Sequence, residues 1–393
     1  MNILIIYPHG NALNNRAGAE TRVWNLVSWL ADNDFEVSIL HALKSKGEED
    51  LDLKKKCSNV YYYKELYPFG ISDWYFSDLN PFYLIKLYKI LRQNKFDIIQ
   101  IEFPYGFFST KLLNFKNSPI IYDSLGVEAE FMKVSMLNPL FPKVLKPIAP
   151  KFAKIYEKFV CKFASIIISV SNVDLRFFTD NYKIDKKKFF LIQIPSSLRN
   201  LNLKGRAKSK IVSRRKLNLP ENKTIAIFHG GIAHPANKEA FDIIEKKIAP
   251  KFKGSNLVFV LAGQFLPTYR SSNVIKIGYV EDLKDLLYAA DFAIVPIIRG
   301  SGMRVKCADY ISSALPFIIT KKGIEGIDFL KNGEDCLIYD KVDKSFLKGI
   351  KLLADDKELR ETFHENLKKK SFKLDYKKIE KSYMTLLRKL INC

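Results

Sequence analysis

The chain has 393 residues, of which 47% are hydrophobic, so it can bury two sizeable cores and two or more domains are expected. Its formal net charge of +22 calls for an anionic partner: a phosphorylated substrate, an anionic lipid or, least favoured, nucleic acid, because no zinc-finger spacing, RNP-like motif or long basic run is present. The five cysteines are scattered without metal-ligand spacing, the N-terminus lacks the basic region of a signal peptide, and no uncharged apolar run approaches the roughly 18 residues of a spanning helix. We therefore expect a cytoplasmic protein that is not integral to a membrane.

Short, continuous apolar runs alternate with amphipathic stretches along the whole chain. Strands of a parallel sheet that helices cover on both faces are buried on both sides, so they show no polar alternation. The pattern predicts an α/β protein with two Rossmann-like domains. We expect the first domain over residues 1–195, a linker over 196–222, the second domain over 223–372 and a final helix over 373–393.

The first predicted strand, residues 2–7, is followed by a polar loop and an amphipathic helix that ends near Ala31. The loop closes on Ala-Gly-Ala-Glu, with Gly18 at the start of the helix. Strand, glycine-bearing loop and helix open a βαβ unit, and residues 36–40 supply its second strand. A single glycine is a weak motif, and an ordinary helix cap is the alternative interpretation.

Two acids follow predicted strands in the first domain. Strands are expected at residues 59–63, 97–101 and 120–123, and a helix at 82–91. Glu102 comes directly after the second of these strands, and Glu128 follows the third. Ligands of open α/β sheets bind at the carboxyl ends of strands, so both acids are candidates for contact with an acceptor substrate. A solvated loop acid is the slightly favoured alternative for each.

Residues 131–163 differ in charge from the rest of the first domain. They carry seven lysines and a single acid, Glu157, among large apolar residues. From residue 151 onward the spacing predicts an amphipathic helix whose basic edge consists of Lys151, Lys154, Lys158 and Lys162. Such a helix can lie on an anionic bilayer. It can also pack its apolar side on the domain and leave the lysines in water, which is commoner.

Strands at residues 165–170 and 189–194 complete the first predicted sheet, and a strand at 224–228 starts the second domain. Strands at 257–261 and 274–277 follow, and a helix at 281–289. Residues 291–327 predict a strand, a Gly-Ser-Gly turn, a helix and another strand, which together form a crossover unit.

Two cations, Arg304 and Lys306, lie at the start of the helix that follows the Gly-Ser-Gly turn. Lys and Arg are unfavourable at a helix N-terminus, where the dipole is already positive, so the pair indicates a negatively charged ligand. Gly302, Lys306 and Asp309 are spaced to share one helix face, which could hold a phosphate and a sugar hydroxyl side by side. On spacing alone, a solvated basic helix start is about equally favoured.

The run Gly-Ser-Gly-Met-Arg-Val-Lys, followed by Ala-Leu-Pro-Phe-Ile-Ile-Thr and Gly-Ile-Glu-Gly-Ile, resembles the nucleotide-sugar signature of the retaining family-four (group 1) glycosyltransferases of GT-B fold. The resemblance implies two Rossmann-like domains facing across a cleft, with the C-terminal helix crossing back to the first. The two glutamates of the signature fall on Ser301 and Asp309 here, so both acids are altered. The implied catalytic residues are Arg304 and Lys306, and the implied donor-binding residues are Ser301, Gly302, Met303, Asp309 and Glu325.

The resemblance extends to four other loops. In the first loop it implies that Gly18 and Ala19 bind the donor and that Arg16 and Glu20 contact the acceptor. Gly230, Gly231 and Lys238 correspond to the diphosphate loop, where Ile232 takes the place of an arginine. The turn that contacts the nucleobase is matched by Tyr279 and Val280. In the loop after residue 123, Leu125 and Gly126 replace the family's histidine region, whereas Glu128 is kept as a catalytic candidate.

We therefore expect a hexosyltransferase that moves a sugar from a nucleotide sugar to a glycan or lipid-linked acceptor in polysaccharide or cell-envelope biosynthesis. Fixed cations and helix N-termini can stabilise the departing diphosphate, so neither a metal nor another cofactor is expected. The enzyme would be cytoplasmic or peripheral on the cytoplasmic face of the membrane. The altered positions leave two alternatives open: an inactive binding subunit of the same shape, and a nucleotide-sugar epimerase, which shares the architecture.

Overall fold

The computed structural model describes residues 1–8, 18–43, 51–66, 73–137, 141–196, 198 and 206–391. The chain divides into two compact units, Met1–Gln193 with Glu380–Cys393, and Ile194–Ile379. Among the described residues, no helix has the length and apolar character that crossing a membrane requires.

The first unit alternates strands and helices as the sequence predicts. Its elements in chain order are β1 (Asn2–Tyr7), α1 (Gly18–Ala31), β2 (Glu36–Leu43), α2 (Leu51–Lys56), β3 (Asn59–Lys64), α3 (Pro81–Gln93), β4 (Ile98–Glu102), α4 (Phe107–Leu113), β5 (Ile120–Ser124), α5 (Glu128–Ser135), α6 (Ala149–Phe163), β6 (Ile166–Ser169), α7 (Asn172–Tyr182) and β7 (Phe189–Leu191). Within these residues the sheet has seven parallel strands in the order β3-β2-β1-β4-β5-β6-β7.

The strand order of the first sheet reverses between β1 and β4. Ile3 to Tyr7 are buried on both faces of the sheet, and Ile5 pairs with Ile39 of β2 and Gln100 of β4. A reversal of this kind leaves a crevice at the carboxyl ends of the two strands, which is where open α/β sheets bind ligands. Tyr7 and Glu102 are the residues that end these strands.

The second unit repeats the same architecture. Its elements are α8 (Arg206–Lys216), β8 (Thr224–His229), α9 (Pro235–Ile243), β9 (Leu257–Ala262), β10 (Tyr269–Arg270), β11 (Val274–Gly278), α10 (Leu283–Ala289), β12 (Phe292–Val295), α11 (Val305–Ser312), β13 (Phe317–Thr320), α12 (Lys321–Ile324), β14 (Leu337–Tyr339), α13 (Lys344–Asp355), α14 (Lys357–Lys370) and α15 (Tyr376–Ile391). The described strands run in the order β10-β11-β9-β8-β12-β13-β14, with β10 alone antiparallel. The order reverses between β8 and β12. The α/β prediction of two Rossmann-like folds is confirmed.

The expectation of a linker over residues 196–222 is wrong at its centre, because α8 belongs to the second unit. Its anchor is the buried Arg214, whose guanidinium donates to the carbonyl oxygens of Ala289, Glu221 and Lys223 and to the Asp291 carboxylate. A helix held by polar contacts shows no apolar periodicity, so its packing could not be predicted from local sequence.

The last helix, α15, contributes Glu380 and the residues after it to the first unit. The buried Tyr383 donates its hydroxyl hydrogen to Gln100 Oε1 at 2.6 Å, and its ring lies 5.9 Å from that of Trp29 in α1. The end of the chain is therefore part of the first core.

Candidate functional site

The switch point of the second sheet carries the candidate site. β8 ends at His229 and is followed by Gly230 and Gly231, and β12 ends at Val295, before the loop that leads to α11. The carboxyl ends of neighbouring strands with reversed order are the usual ligand position in such sheets. Lys306, in the first turn of α11, and Asn237, in the first turn of α9, meet at this point.

Lys306 is buried and is held by two neutral groups. Its ammonium donates a hydrogen bond of 2.6 Å to Asn237 Oδ1 and lies 4.2 Å from the ring centroid of Phe228. Asn237 in turn donates from Nδ2 to the carbonyl oxygen of Gly231 at 3.0 Å. The amide therefore ties the cation to the glycine loop.

Burial lowers the pKa values of the two basic groups at this site, Lys306 and His229. It is the main cause that lowers the pKa of Lys306 to about 7. Burial and then the nearby Lys306 lower the pKa of His229 to about 3, so this imidazole is neutral. An anion bound beside Lys306 would favour the charged ammonium and raise its pKa again. The site is thus electrostatically suited to a phosphate.

Gly230 and Gly263 lie where the backbone comes too close to neighbouring atoms for any side chain to fit. A Cβ atom on Gly230, whose φ is 152°, would lie 2.9 Å from Lys306 Nζ and 2.8 Å from Asn237 Nδ2. A Cβ atom on Gly263, directly after β9, would lie 2.0 Å from the carbonyl oxygen of Gly230. Only glycine at both positions lets the loop after β8 come this close to Lys306 and to β9.

Arg304, a predicted catalytic cation, makes hydrogen bonds within its own loop. Its guanidinium donates to the carbonyl oxygens of Ser301, Gly302 and Arg299, the last at 3.2 Å. It therefore holds its own loop, in which Gly300 and Gly302 have φ values of 101° and 75°. A guanidinium has five N–H groups and these contacts involve three of them, so the catalytic role of Arg304 stays a prediction.

The predicted helix face is also altered, because α11 begins at Val305 and Gly302 lies in the preceding loop. Lys306 and Asp309 remain on the helix. Asp309 is buried, and its Oδ1 accepts a hydrogen bond of 2.8 Å from Ser196 Oγ. Ser301 is half-buried and Met303 is buried, both in the loop before the helix.

The other predicted donor residues lie at the carboxyl edge of the sheet but outside the Lys306 cluster. Lys238 is exposed on α9, one position past Asn237. Tyr279 is exposed and Val280 half-buried in the turn after β11. Glu325 follows β13 and pairs with Lys322 at 2.8 Å.

The sequence interpretation missed three residues of the site: Asn237, His229 and Gly263. The sequence Pro-Ala-Asn after the glycine pair was the available signal for Asn237.

Two of the predicted acceptor residues, Glu20 and Glu102, lie near Tyr7 at the switch point of the first sheet. Burial, and then the negative charges of Glu20 and Glu102, raise the pKa of Tyr7 well above its usual value. Both acids are buried, so the alternative of a solvated loop acid is wrong for Glu102. Burial and the neighbouring Asp123 raise the pKa of Glu102 well above its usual range, although Arg22 opposes this.

Three further predicted residues of the first unit lie near the strand ends. Gly18 is exposed at the start of α1, followed by the half-buried Ala19, whereas Arg16 lies outside the described residues. Glu128 starts α5 and is buried, so a solvated acid is wrong here too. Burial and then Glu157 raise its pKa, and its backbone N–H donates to the Glu157 carboxylate at 3.2 Å. Its surroundings are those of a residue inside the fold.

One group of possible metal ligands occurs among the described residues. Glu361, His364 and Glu365 lie together on α14, where His364 Nδ1 is 2.7 Å from the carbonyl oxygen of Ala314. Both acids are exposed, and the group belongs to a different helix from the residues around Lys306. It therefore adds nothing to the candidate site.

Two families of known proteins match the chain. The family described as Glycosyltransferase Family 4 matches residues 16–194, and the one described as Glycosyl transferases group 1 matches residues 223–356. The two matches do not overlap and together span most of the chain. No curated protein sequence matches it.

Solved structures are similar over nearly the whole length. Sucrose-phosphate synthase from Thermosynechococcus elongatus has a TM-score of 0.77 at 15% identity, covering 100% of this chain and 99% of that one. Anabaena HepE in complex with UDP-glucose has a TM-score of 0.70 at 15% identity, and the match covers 99% of this chain and 100% of that one. WaaG, a glycosyltransferase involved in lipopolysaccharide biosynthesis, has a TM-score of 0.67 at 11% identity, and the match covers 98% of each chain. With the two parallel sheets, these likenesses confirm the predicted GT-B fold.

Proposed function

Because the chain belongs to the glycosyltransferases of family 4 and group 1, we propose that it transfers a hexose from a nucleoside-diphosphate sugar to a glycan or lipid-linked acceptor, with retention at the anomeric carbon. One observation carries the proposal: Lys306 is fixed by Asn237 beside the glycine loop at the switch point of the second sheet. A buried cation whose partners are neutral can form a charge-assisted hydrogen bond with an anion.

The chemistry follows from where charge develops. The bond between the anomeric carbon and the diphosphate oxygen breaks, the acceptor oxygen bonds to the same carbon, and the acceptor hydroxyl loses its proton. Negative charge grows on the leaving diphosphate, so a cation already fixed beside it stabilises the transition state more than the ground state. We assign this role to Lys306, with the Gly230–Gly231 backbone beside it and no metal required.

Retention fits an acceptor hydroxyl that attacks on the face from which the diphosphate departs. The developing diphosphate is then the nearest base for the acceptor proton, and no enzymic nucleophile is needed.

We propose that Asp309 receives the ribose hydroxyls of the donor, and that Glu20 and Glu102 contact hydroxyls of the acceptor. HepE was solved with UDP-glucose, which supports a uridine-diphosphate hexose as the first donor to test.

The test is a screen of nucleotide sugars for release of nucleoside diphosphate, with and without a membrane lipid extract as acceptor. Release that requires the acceptor supports a transferase. Binding of donor without release would instead indicate an inactive subunit. Interconversion of the sugar without any acceptor would indicate an epimerase. Cell-envelope or polysaccharide synthesis at the cytoplasmic face of the membrane is the setting we propose.

A further inference from the structure

Two large apolar residues of α6 face away from the core of the domain, whereas Tyr156, Phe159 and Val160 pack against it. The helix buries Ala153, Glu157, Val160 and Cys161. Phe152 and Ile155 are exposed, Ile155 by 71%. The commoner arrangement, in which the apolar side packs on the domain, is therefore wrong for these residues.

Two neighbouring helices of the first unit show the same feature. Phe82 and Ile85 on α3, and Phe108 and Leu112 on α4, are exposed as well, Leu112 by 68%. We call these four residues, together with Phe152 and Ile155, the apolar ridge. Scattered single hydrophobic residues on a surface need no explanation, but a contiguous group of this size marks an interaction surface.

Contacts between the helices make the ridge continuous. The ring of Phe108 lies 6.1 Å from that of Phe159 on α6, and the Phe108 backbone N–H donates to Tyr156 Oη at 3.3 Å. On the other side, Tyr88 of α3 lies 6.1 Å from Phe115, two residues after α4. The exposed residues therefore belong to one packed surface of three helices.

The charges around the ridge select its partner. The sequences of α3, α4 and α6 contain seven lysines and one arginine against a single acid, Glu157, which is buried. The lysines at 151, 154, 158 and 162 are exposed beside Phe152 and Ile155. One further acid, the half-buried Asp78, lies between α4 and α6, where it accepts hydrogen bonds from Tyr156 and Ser109. An apolar strip with a predominantly basic border matches the apolar interior and anionic headgroups of a bilayer. A second copy of this chain would bring two basic borders together, which disfavours self-association.

We propose that the apolar ridge docks the first unit on an anionic lipid bilayer, with the ridge side chains inserted at the headgroup level and the lysines on lipid phosphates. The inference goes beyond the transferase activity and is independent of it, because lipid binding can be measured without a sugar donor. It assigns the contact to three helices, whereas the sequence indicated only α6.

The experiment is co-sedimentation of the full chain with phosphatidylcholine vesicles that contain about 30% phosphatidylserine, and with pure phosphatidylcholine vesicles. We expect binding to the anionic vesicles that weakens as salt rises, because the Debye length is about 8 Å at physiological ionic strength. We expect little binding to the neutral vesicles.

Two variants separate the apolar and the charged contribution. The double substitution Phe152→Ser with Ile155→Ser should lower the partition coefficient by about tenfold, since two inserted side chains are lost. Replacing Lys151, Lys154, Lys158 and Lys162 by Gln should weaken the salt dependence by about half, because four of the eight cations on the three helices remain. The control for the apolar variant is Leu352→Ser, at an exposed apolar residue of α13. The control for the charge variant replaces four exposed lysines of the second unit by Gln and so changes the net charge by the same amount: Lys344, Lys348, Lys357 and Lys369. Both controls should bind as the wild type does.

Three results would overturn the proposal: no binding of the wild type to anionic vesicles, undiminished binding of the apolar double variant, or a wild-type dimer in analytical ultracentrifugation that this variant abolishes. Thermal melting verifies that each variant is folded. If the α6 variant does not fold, Phe108→Ser with Leu112→Ser on α4 tests the same ridge. Failure of vesicle binding would leave release of nucleoside diphosphate unaffected, so the two proposals can fail separately.

Discussion

Lys306 Nζ and Asn237 Oδ1 are joined by a hydrogen bond of 2.6 Å between the first turns of α11 and α9. This bond links the helices that follow the two strands at the switch point of the second sheet. The remaining hydrogens of the ammonium can serve an anion at the carboxyl edge, so Asn237 orients the cation without neutralising it.

We expect Lys306→Ala to weaken binding of a nucleoside diphosphate by roughly 1.5–3 kcal/mol, the contribution of a charge-assisted hydrogen bond. Isothermal titration calorimetry with UDP measures the change. Lys247→Ala is the matched control, since this lysine is exposed shortly after the end of α9 and is not a predicted site residue. Unchanged UDP affinity in a folded Lys306→Ala protein would remove Lys306 from the site.

Diphosphate affinity should depend on pH through Lys306, whose pKa in the free protein is about 7. A bound anion raises this pKa, so below pH 7 the lysine is charged in both states and its contribution is constant. Above pH 7 the free protein must take up a proton on binding, and affinity should fall by up to about tenfold per pH unit. Calorimetry between pH 7 and 9, in buffers of different ionisation enthalpy, measures the affinity and the proton uptake. A flat profile over this range would show that Lys306 does not titrate there.

Asp309→Asn should raise the donor KM by about tenfold and change kcat little, because the substitution removes a charged acceptor for the ribose hydroxyls. Since Asp309 accepts a hydrogen bond from Ser196, its role in the free protein is partly structural. Ser196→Ala removes that bond and the hydrogen bond of 3.1 Å that Ser196 Oγ accepts from the Leu198 backbone N–H, but it leaves the carboxylate in place. It should therefore affect donor KM less. Equal effects of the two substitutions would indicate that Asp309 only holds residue 196 in place.

Gly263→Ala should disrupt the diphosphate loop from outside it, because the new methyl group would lie 2.0 Å from the carbonyl oxygen of Gly230. The loop must move away from Lys306, so we expect UDP binding to fall at least about tenfold and stability to fall by about 1–3 kcal/mol. Gly254→Ala meets no atom within 4 Å but has a φ of 79°, so it should cost stability through backbone strain without a clash and leave UDP binding unchanged. UDP binding by Gly263→Ala at wild-type affinity would contradict this arrangement.

Stability of the first unit should decrease as pH rises from about 4.5 to 8. Burial is the main cause that raises the pKa of Glu157 from 4.5 to about 8, although the hydroxyls of Tyr122 and Tyr182 donate to it. The folded state therefore holds a proton that the unfolded state loses, and stability declines through this window and levels above it. Glu157→Gln keeps a neutral group of the same shape at every pH. The loss in free energy of unfolding between about pH 4.5 and 8 should therefore be smaller by about 1–3 kcal/mol in this variant. Thermal melts at pH 5 and pH 8.5 provide the measurement; the exposed Glu36→Gln should melt with the wild-type pH dependence.

The sequence by itself determined the two-sheet architecture and the position of the Gly-Ser-Gly turn before α11. Strands buried on both faces appear as continuous apolar runs, and this signal is local, so most predicted strands lie where the structure has them. Lys306 was found for the same reason: a glycine turn, a helix start and a cation follow one another within a few residues. Asp309 was located by register with the family pattern, which also depends only on neighbouring residues.

Only the tertiary structure decided how side chains are paired across the sequence. Asn237 and Lys306 are separated by 69 positions, and no local pattern predicts their hydrogen bond. Arg304 turns back to its own loop carbonyls because they are the nearest acceptors, a choice that depends on the loop geometry of Gly300 and Gly302. Helical periodicity shows that α6 has two faces but does not show which one meets the core. That choice depends on the volume available against the neighbouring helices, where Ala153 and Cys161 fit and Phe152 and Ile155 remain outside.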